Sequence, residues 1–368
     1  MSDRSFFFAG GGTGGHIYPA IAVAERIIEL APAAKVRFLC SGRPIDSQIL
    51  EPGGFDYTPL PITGFSFRPS KLADSLSSFV KSYRIARAAI AQSENPVVIG
   101  IGGFASGPTC SAAHKLGAAI AILNVDIVPG RANRLIARWA DEIFVQFEDT
   151  RKHFAGSKAR INVVGCPLRR AFDDIDPAGA MNQLGLEKGK KLLLVTGASS
   201  GAANINDALC RLLERIERFA DDWQIVHLAG LRQFERIERE YASAKIGHKV
   251  LAYYDDMAGL LAAADLLIGR SGAVSVAEYA AAGVPSICLP YPYHKDRHQY
   301  LNAGKLVEAG AAVIVDDVED PDERAEQLWK ELERLMKDER KLLKMAENCG
   351  AIAKVKAASS IAQRLLEN

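Results

Sequence analysis

The chain has 368 residues, of which 48% are hydrophobic and 24% charged, with a formal net charge of +1. That length holds two domains of ordinary size, each with its own core, and the composition excludes a disordered or fibrous protein. The near-neutral balance gives no general pull toward nucleic acid, so none is expected as a partner and any basic patch must be local.

In chain order, Phe6-Phe7-Phe8-Ala9 reads as a short buried strand, and Gly10, Gly11, Gly12, Gly14 and Gly15 follow as a loop almost without Cβ atoms. From His16 onward, Ile17, Ala20, Ile21, Ala24, Ile27 and Ile28 recur at helical spacing. Strand, glycine loop and helix together place backbone N–H groups, and the positive end of a helix dipole, beside an anion. The letters also satisfy G-x-G-x-x-G at Gly10, Gly12 and Gly15. A dinucleotide site wants an acid about 20 residues on, at the end of the second strand. That strand, KVRFLC, runs into Cys40-Ser41-Gly42-Arg43 without an acid, which leaves NAD(P) as a minor alternative.

Residues 61–90 carry Phe65, Phe67, Leu72, Leu76, Phe79, Val80 and Tyr83 among Arg68, Lys71, Lys81, Arg84 and Arg87. Aromatic and aliphatic residues with basic neighbours fit a helix lying on an anionic bilayer. They fit equally an amphipathic helix packed on its own sheet with solvated cations.

Strand-like runs alternate with helical patterns almost throughout. SFFFAG, KVRFLC, PVVIGIG, AAIAILN, EIFVQF and INVVG precede Gly165-Cys166-Pro167; KKLLLVTG, WQIVHLAG, KVLAYY, DLLIGR, PSICLPY and AAVIV follow it. This alternation predicts an α/β protein of two doubly wound, Rossmann-like parallel-sheet domains facing a shared cleft. The boundaries are placed at 1–164 and 165–344; pattern alone leaves open which domain the C-terminal helix, 345–368, packs on, and a return to the first domain is expected.

Ligand-binding residues belong at the carboxyl ends of such strands. In the first half these loops are the opening glycines, GIGGFASGP and LNVDIVPG; in the second they are GASSGAAN, YYDDM, RSGAVSVAE and YPYHKDRHQYLN. After DLLIG, Ser271-Gly272 leads into a helix that ends before Gly283 and Pro285. Its N-terminus suits a diphosphate, and GASSGA repeats the same logic with Ser199 and Ser200 as hydroxyl donors. Glu278 lies a turn or more into that helix, at roughly 3.6 residues per turn, and a carboxylate there can take both hydroxyls of a ribose. The competing reading makes Glu278 a solvated helix residue and the serines simple caps.

The six cysteines, Cys40, Cys110, Cys166, Cys210, Cys288 and Cys349, lack C-x-x-C or zinc spacing and read as free thiols in a reducing compartment. Neither a secretory leader nor a membrane-spanning run is predicted, and a cytoplasmic protein is expected.

GGTGGHIYPA, GIGGFASGP, GCPLR, GASSGA, DDM, RSGAVSVAEYAAAGVP and HKDRHQYLNAGKLVEAGAA stand in order over nearly the whole chain. In these blocks the sequence resembles the MurG family of peptidoglycan glycosyltransferases, within the larger group of two-domain inverting transferases of GT-B architecture. The resemblance implies transfer of N-acetylglucosamine from UDP-GlcNAc to the C4 hydroxyl of the muramoyl sugar of lipid I, giving lipid II. It further implies a peripheral location at the cytoplasmic face of the plasma membrane, with residues 61–90 as the membrane face: Phe65, Phe67, Leu72, Leu76 and Phe79.

The resemblance also assigns roles. Arg169, Ser199 and the helix start at Ser271-Gly272-Ala273 are expected at the donor diphosphate, Glu278 at the ribose, Tyr254 at the uracil, and His298 and Gln299 at the donor sugar, with Asn302 nearby. Thr13, Gly14 and Gly15 line the loop where donor meets acceptor, together with Asp126. Gly12, His16, Gly102, Gly103 and Phe104 border the acceptor. An inverting transfer is a single displacement that needs a base for the acceptor hydroxyl and stabilisation of the departing diphosphate. His16 is the leading base, because an imidazole titrates near neutrality; the alternative is a histidine that merely fixes the loop. With no D-x-D between apolar strands, and Asp255-Asp256 adjacent, no metal or other obligatory cofactor is expected.

Three departures bear on these roles. Leu123-Asn124-Val125-Asp126 stands where the family has His-Glu-Gln-Asn, which makes Asp126 a second candidate base or a partner of His16. Ser200 replaces a glutamine, and Cys166 an asparagine. The acceptor-side block is the most altered, so a transferase with another lipid-linked acceptor is one alternative. A UDP-GlcNAc 2-epimerase, which needs no acceptor, and a nucleotide-sugar-binding protein without catalysis are the others.

Overall fold

Phe6, Phe7 and Phe8 are all buried because their strand is internal to a parallel sheet, covered on both faces. The computed structural model describes residues 4–64, 69–197 and 201–367. The chain divides into two compact units, Met1–Arg169 with Val355–Asn368, and Arg170–Lys354. The divisions fall after Arg169 and Lys354, where the sequence pattern placed them after residues 164 and 344.

The first unit runs β1 (Ser5–Gly10), α1 (Gly14–Leu30), β2 (Lys35–Ser41), α2 (Pro44–Leu50), β3 (Tyr57–Leu60), α3 (Pro69–Ala91), β4 (Pro96–Gly102), α4 (Ser106–Leu116), β5 (Ala119–Asn124), α5 (Arg131–Ile136), β6 (Glu142–Val145) and β7 (Arg160–Val163). Its seven strands are ordered β3-β2-β1-β4-β5-β6-β7, all parallel. Strand β3 is one more than the sequence predicts. It is a short edge strand containing Pro59, half-exposed and weakly patterned, and proline is tolerated at an edge where no ladder N–H is needed.

The second unit runs α6 (Pro177–Leu184), β8 (Lys191–Thr196), α7 (Ala203–Ile216), β9 (Trp223–Leu228), α8 (Phe234–Tyr241), β10 (Gly247–Leu251), α9 (Met257–Ala263), β11 (Leu266–Gly269), α10 (Ala273–Ala282), β12 (Ser286–Cys288), α11 (His298–Glu308), β13 (Ala312–Ile314), α12 (Pro321–Met336) and α13 (Glu339–Gly350). Its six strands are those predicted, in the parallel order β10-β9-β8-β11-β12-β13. The last helix, α14 (Ala357–Glu367), belongs to the first unit, whereas α13 stays in the second. Helix α14 packs on α1, and Arg4 Nη1 donates to the carbonyls of Leu365 at 3.1 Å and Leu366 at 3.2 Å. Arg364 pairs with the buried Glu142 at 3.1 Å.

In each sheet the strand order reverses once, between β1 and β4 in the first unit and between β8 and β11 in the second. At such a reversal the flanking crossovers diverge and leave a crevice at the carboxyl ends of the strands. The glycine segments that follow β1 and end β4 flank the reversal in the first sheet, so the topology puts both at that crevice.

Candidate active site

In the first unit the crevice is built from backbone. Gly10, Gly11 and Gly12 have φ of 149°, 124° and 86°, and Gly102 and Gly103 have 96° and 82°. These two glycine segments touch: Gly11 N donates to Gly102 O at 3.2 Å, and a Cβ on Gly103 would stand 2.5 Å from Gly11 O. Any side chain here would force the segments apart. The buried Ser106, at the start of α4, locks the junction, its hydroxyl reaching Ala9 O at 2.6 Å and accepting from Gly102 N at 3.0 Å.

His16 lies in the first turn of α1 and is half-buried. Its Nδ1 stands 3.3 Å from Gly11 O and 3.2 Å from Thr13 Oγ1. A carbonyl oxygen only accepts, so a hydrogen bond to Gly11 O puts the proton on Nδ1 and leaves the lone pair of the neutral ring on Nε2, whereas accepting from the Thr13 hydroxyl would reverse the two. Nε2 faces Gly102, where an added Cβ would lie 3.0 Å away. The structure therefore brings His16, Gly12, Thr13, Gly102 and Gly103 together, with Gly14 and Gly15 in the same helical turn. Phe104 is exposed at the rim, its ring 5.9 Å from the Arg43 guanidinium carbon. Asp126 lies half-buried on the loop after β5. That loop is held by the buried Asn124, which donates to the Asp126 carbonyl at 2.7 Å and accepts from Asn133 at 3.1 Å.

Two residues of this cluster were missed by the sequence reading. Asp46 is fully buried, and it accepts from Gly12 N at 2.7 Å and Ser41 Oγ at 2.6 Å. Arg43 donates to Gly12 O at 3.3 Å. Asp46 lies three residues beyond Arg43, inside α2 rather than at the end of the second strand. With both oxygens occupied inside the protein, Asp46 is no ribose ligand. The glycine loop carries a carboxylate of its own.

Arg169, expected at the donor diphosphate, is the last residue of the first unit, its guanidinium carbon 5.0 Å from the Tyr18 ring centroid. Ser199 and Ser200 lie outside the described residues, as do Phe65 and Phe67.

In the second unit the crevice lies at the start of α10. Gly272 takes an extended conformation there, and Gly283 closes the helix in the left-handed region at φ 73°, as the sequence predicts. Ser271 is fully buried and donates to the Gln299 carbonyl at 3.0 Å, while Asn302 donates to Ser271 O at 3.3 Å. The Ser271 hydroxyl is thus spent on tying α10 to α11, so at this position the first-turn backbone of α10 is what remains for an anion. Glu278 is half-buried on the same helix. Gln299 accepts from Tyr291 N at 2.9 Å, and His298 Nδ1 meets Asp296 at 2.7 Å. Burial pushes the Asp296 carboxyl up, but its hydrogen bonds from His298 outweigh this and hold it below the usual range. Tyr254 donates to Gln183 at 2.5 Å, and burial, then the nearby Asp256, raises its phenol. Asp256 caps α9, accepting from Gly259 N at 3.0 Å, a structural use of the DDM block.

A buried ionic network supports this crevice. Asp317, with no exposed side-chain surface, pairs with Arg270 at 2.8 Å and Arg324 at 2.7 Å, and accepts from Asn204 at 2.8 Å. Arg270 immediately precedes Ser271, and Asn204 lies in the first turn of α7. Arg324 lies two turns of chain beyond Asp317, but Arg270 and Asn204 come from distant segments, so no local spacing flags the network.

On α3 the structure redistributes the expected membrane face. Leu72, Leu76 and Val80 are 36%, 50% and 45% exposed along one helical stripe, whereas Ser75, Ser78 and Ser82 are buried. Phe79 is half-buried and turns inward, 3.7 Å from the position of a Cβ on Gly107 of α4. It is an anchor of α3 rather than part of its outer surface. Among the described residues no helix is long and apolar enough to cross a membrane.

Comparison with known proteins places these features. The model of the glycosyltransferase family 28 N-terminal domain matches residues 6–145, and that of the family 28 C-terminal domain matches residues 192–365. An Alkaliphilus metalliredigens protein is 34% identical over 360 residues, 96% of each chain. A Prosthecochloris aestuarii protein is 36% identical over 371 residues, 98% of each. Both carry the name UDP-N-acetylglucosamine–N-acetylmuramyl-(pentapeptide) pyrophosphoryl-undecaprenol N-acetylglucosamine transferase. Among solved structures, Acinetobacter baumannii MurG superposes with a TM-score of 0.73 at 25% identity, covering 99% of this chain and 100% of its own. The Neisseria meningitidis UDP-GlcNAc 2-epimerase superposes with a TM-score of 0.71 at 14% identity, covering 99% and 100%. That second likeness is one of fold.

Proposed function

The chain belongs to glycosyltransferase family 28, and from that membership we propose that it transfers N-acetylglucosamine from UDP-GlcNAc to the C4 hydroxyl of the muramoyl sugar of lipid I, yielding lipid II. The observation that carries this reading is similarity along nearly the whole length of both chains to enzymes named for that transfer. The fold alone does not separate a transferase from a 2-epimerase, since both share it.

In the proposed mechanism the acceptor oxygen attacks C1 of the donor sugar as the bond from C1 to the diphosphate oxygen breaks with inversion. UDP leaves with the electron pair. The hydroxyl proton passes to His16 Nε2, whose lone pair is supported by the Nδ1 contact with Gly11 O. The first turn of α10 at Ser271-Gly272-Ala273, with Arg169 and Ser199, stabilises the diphosphate. Glu278 holds the ribose, Tyr254 borders the uracil, and His298 and Gln299 reach the donor sugar. Asp126 is the second candidate base. Helix dipole and side chains carry the leaving group in this reading, so EDTA is expected to leave turnover unchanged.

We further propose that the protein works on an anionic membrane at the cytoplasmic face, where its lipid-linked acceptor lies. The outward Leu72, Leu76 and Val80, with exposed Lys81, Arg84 and Arg87 on the same helix, support this.

The test is transfer of labelled GlcNAc to a short-chain lipid I analogue, with a no-acceptor control. Acceptor-dependent product is expected. Conversion of UDP-GlcNAc without acceptor would point to epimerisation instead. Donor binding with no transfer to lipid I would turn the search to another acceptor, which the Leu123–Asp126 block motivates.

A further inference from the structure

The carbonyl of Gly11 and the N–H of Gly12 belong to one peptide bond, and that bond is gripped from both ends. Its N–H donates to Asp46 Oδ1 at 2.7 Å, and its carbonyl oxygen faces His16 Nδ1 at 3.3 Å. All peptide bonds are trans among the described residues, so the two contacts point away from each other across the amide. Asp46 is fully buried, and its other oxygen accepts from Ser41 Oγ at 2.6 Å. A Cβ on Gly11 would stand 2.7 Å from Asp46 Oδ2, and Gly11 has a φ of 124°. The close approach of carboxylate to backbone therefore depends on a glycine.

We propose that Asp46 is a positioning residue for His16, acting through the Gly11–Gly12 peptide. A buried carboxylate is costly unless hydrogen-bonded, and in a low-dielectric interior hydrogen bonds in a chain polarise one another. Accepting from Gly12 N–H, the Asp46 charge draws positive charge toward the amide nitrogen and makes Gly11 O a stronger acceptor. That oxygen then holds the proton on Nδ1, fixes the ring, and keeps the lone pair on Nε2, beside Gly102. No proton crosses the peptide. Arg43, which donates to Gly12 O at 3.3 Å, fastens the next peptide along. The inference rests on the reading of His16 as the base, but its primary readout needs no substrate.

The experiment is ¹⁵N NMR of the His16 imidazole at a pH where the ring is neutral, on the full-length wild-type chain and on Asp46→Asn and Asp46→Glu. Wild type is expected to carry its proton on Nδ1; a predominant Nε2–H tautomer would overturn the proposal without any variant. Asp46→Asn keeps the size and removes the charge, and should shift the tautomer balance toward Nε2–H. It should also lower kcat about tenfold, a part of the full contribution of a general base, while calorimetric affinity for UDP-GlcNAc stays within twofold. Asp46→Glu, which restores the charge, should recover part of both the tautomer bias and kcat. An unchanged tautomer with kcat within twofold in Asp46→Asn would reduce Asp46 to a loop anchor. If wild type fails to transfer GlcNAc at all, the functional reading falls while the tautomer measurement still decides the relay.

Discussion

At Gly102 a missing side chain leaves room beside His16 Nε2, since a Cβ there would meet it at 3.0 Å in a backbone held at φ 96°. Gly102→Ala is expected to cover the nitrogen and add roughly 1–3 kcal/mol of backbone strain. Turnover should fall at least about a hundredfold, the low end of what a lost base costs, with donor affinity retained. Parallel kcat and calorimetric measurements check this, and normal turnover would remove Nε2 from the reaction. On the donor side, Glu278→Ala takes away a charged acceptor on α10. Hydrogen bonds to charged groups are worth about 1.5–3 kcal/mol, so UDP-GlcNAc should bind about ten- to a hundredfold more weakly. Unchanged affinity in a folded variant would free Glu278 from the ribose assignment.

Among the elements, α3 mixes polar and apolar residues on its packed side, where Ala86 and Ile90 are also buried. Its stripe of Leu72, Leu76 and Val80 is exposed, and its packed side holds Ser75, Ser78 and Ser82. The hydroxyls are used locally: Ser78 Oγ donates to Ser75 O at 2.9 Å, and Ser75 Oγ to Gly64 O at 3.4 Å. These side chains are only about half removed from water on folding, so replacing all three with serine should cost thermal stability less than the same change in the core. Binding to anionic vesicles should weaken markedly, because each buried methylene contributes about 0.8 kcal/mol to membrane association. Equal co-sedimentation of variant and parent would refute the membrane role of this helix.

For the whole molecule, a buried histidine makes the second unit sensitive to acid. His227 on β9 is fully buried, its Nε2 on Asn206 Oδ1 and its Nδ1 on Tyr241 Oη, each at 3.0 Å. Burial, and secondarily the charge of Arg236, lowers its pKa to about 3. The unfolded chain binds a proton near the ordinary histidine value of about 6.5, which the folded state refuses. Stability of the second unit should therefore decline as pH falls from 6.5 toward 3, by roughly 1.4 kcal/mol per pH unit from this group. Urea midpoints of the second unit at pH 7 and pH 5, read by the fluorescence of Trp223 and Trp329, would show the decline; equal midpoints would contradict it.

Hydrophobic runs with period and length of their own let the sequence alone determine the α/β class, the six strands of the second sheet, the glycine loop before His16 and the helix from Ser271 to Gly283. Each of these depends on residues adjacent in the chain. Strand β3 escaped because four half-exposed edge residues with a proline leave little pattern. The Asp46 bridge, the Asp317 network and the inward turn of Phe79 escaped for a different reason. Their partners Gly12, Arg270, Asn204 and Gly107 are brought near only by strand order and helix packing. Local propensity and periodicity decide which elements form. Which buried carboxylate meets which amide is decided by long-range packing, where a charge must find a partner once water is excluded.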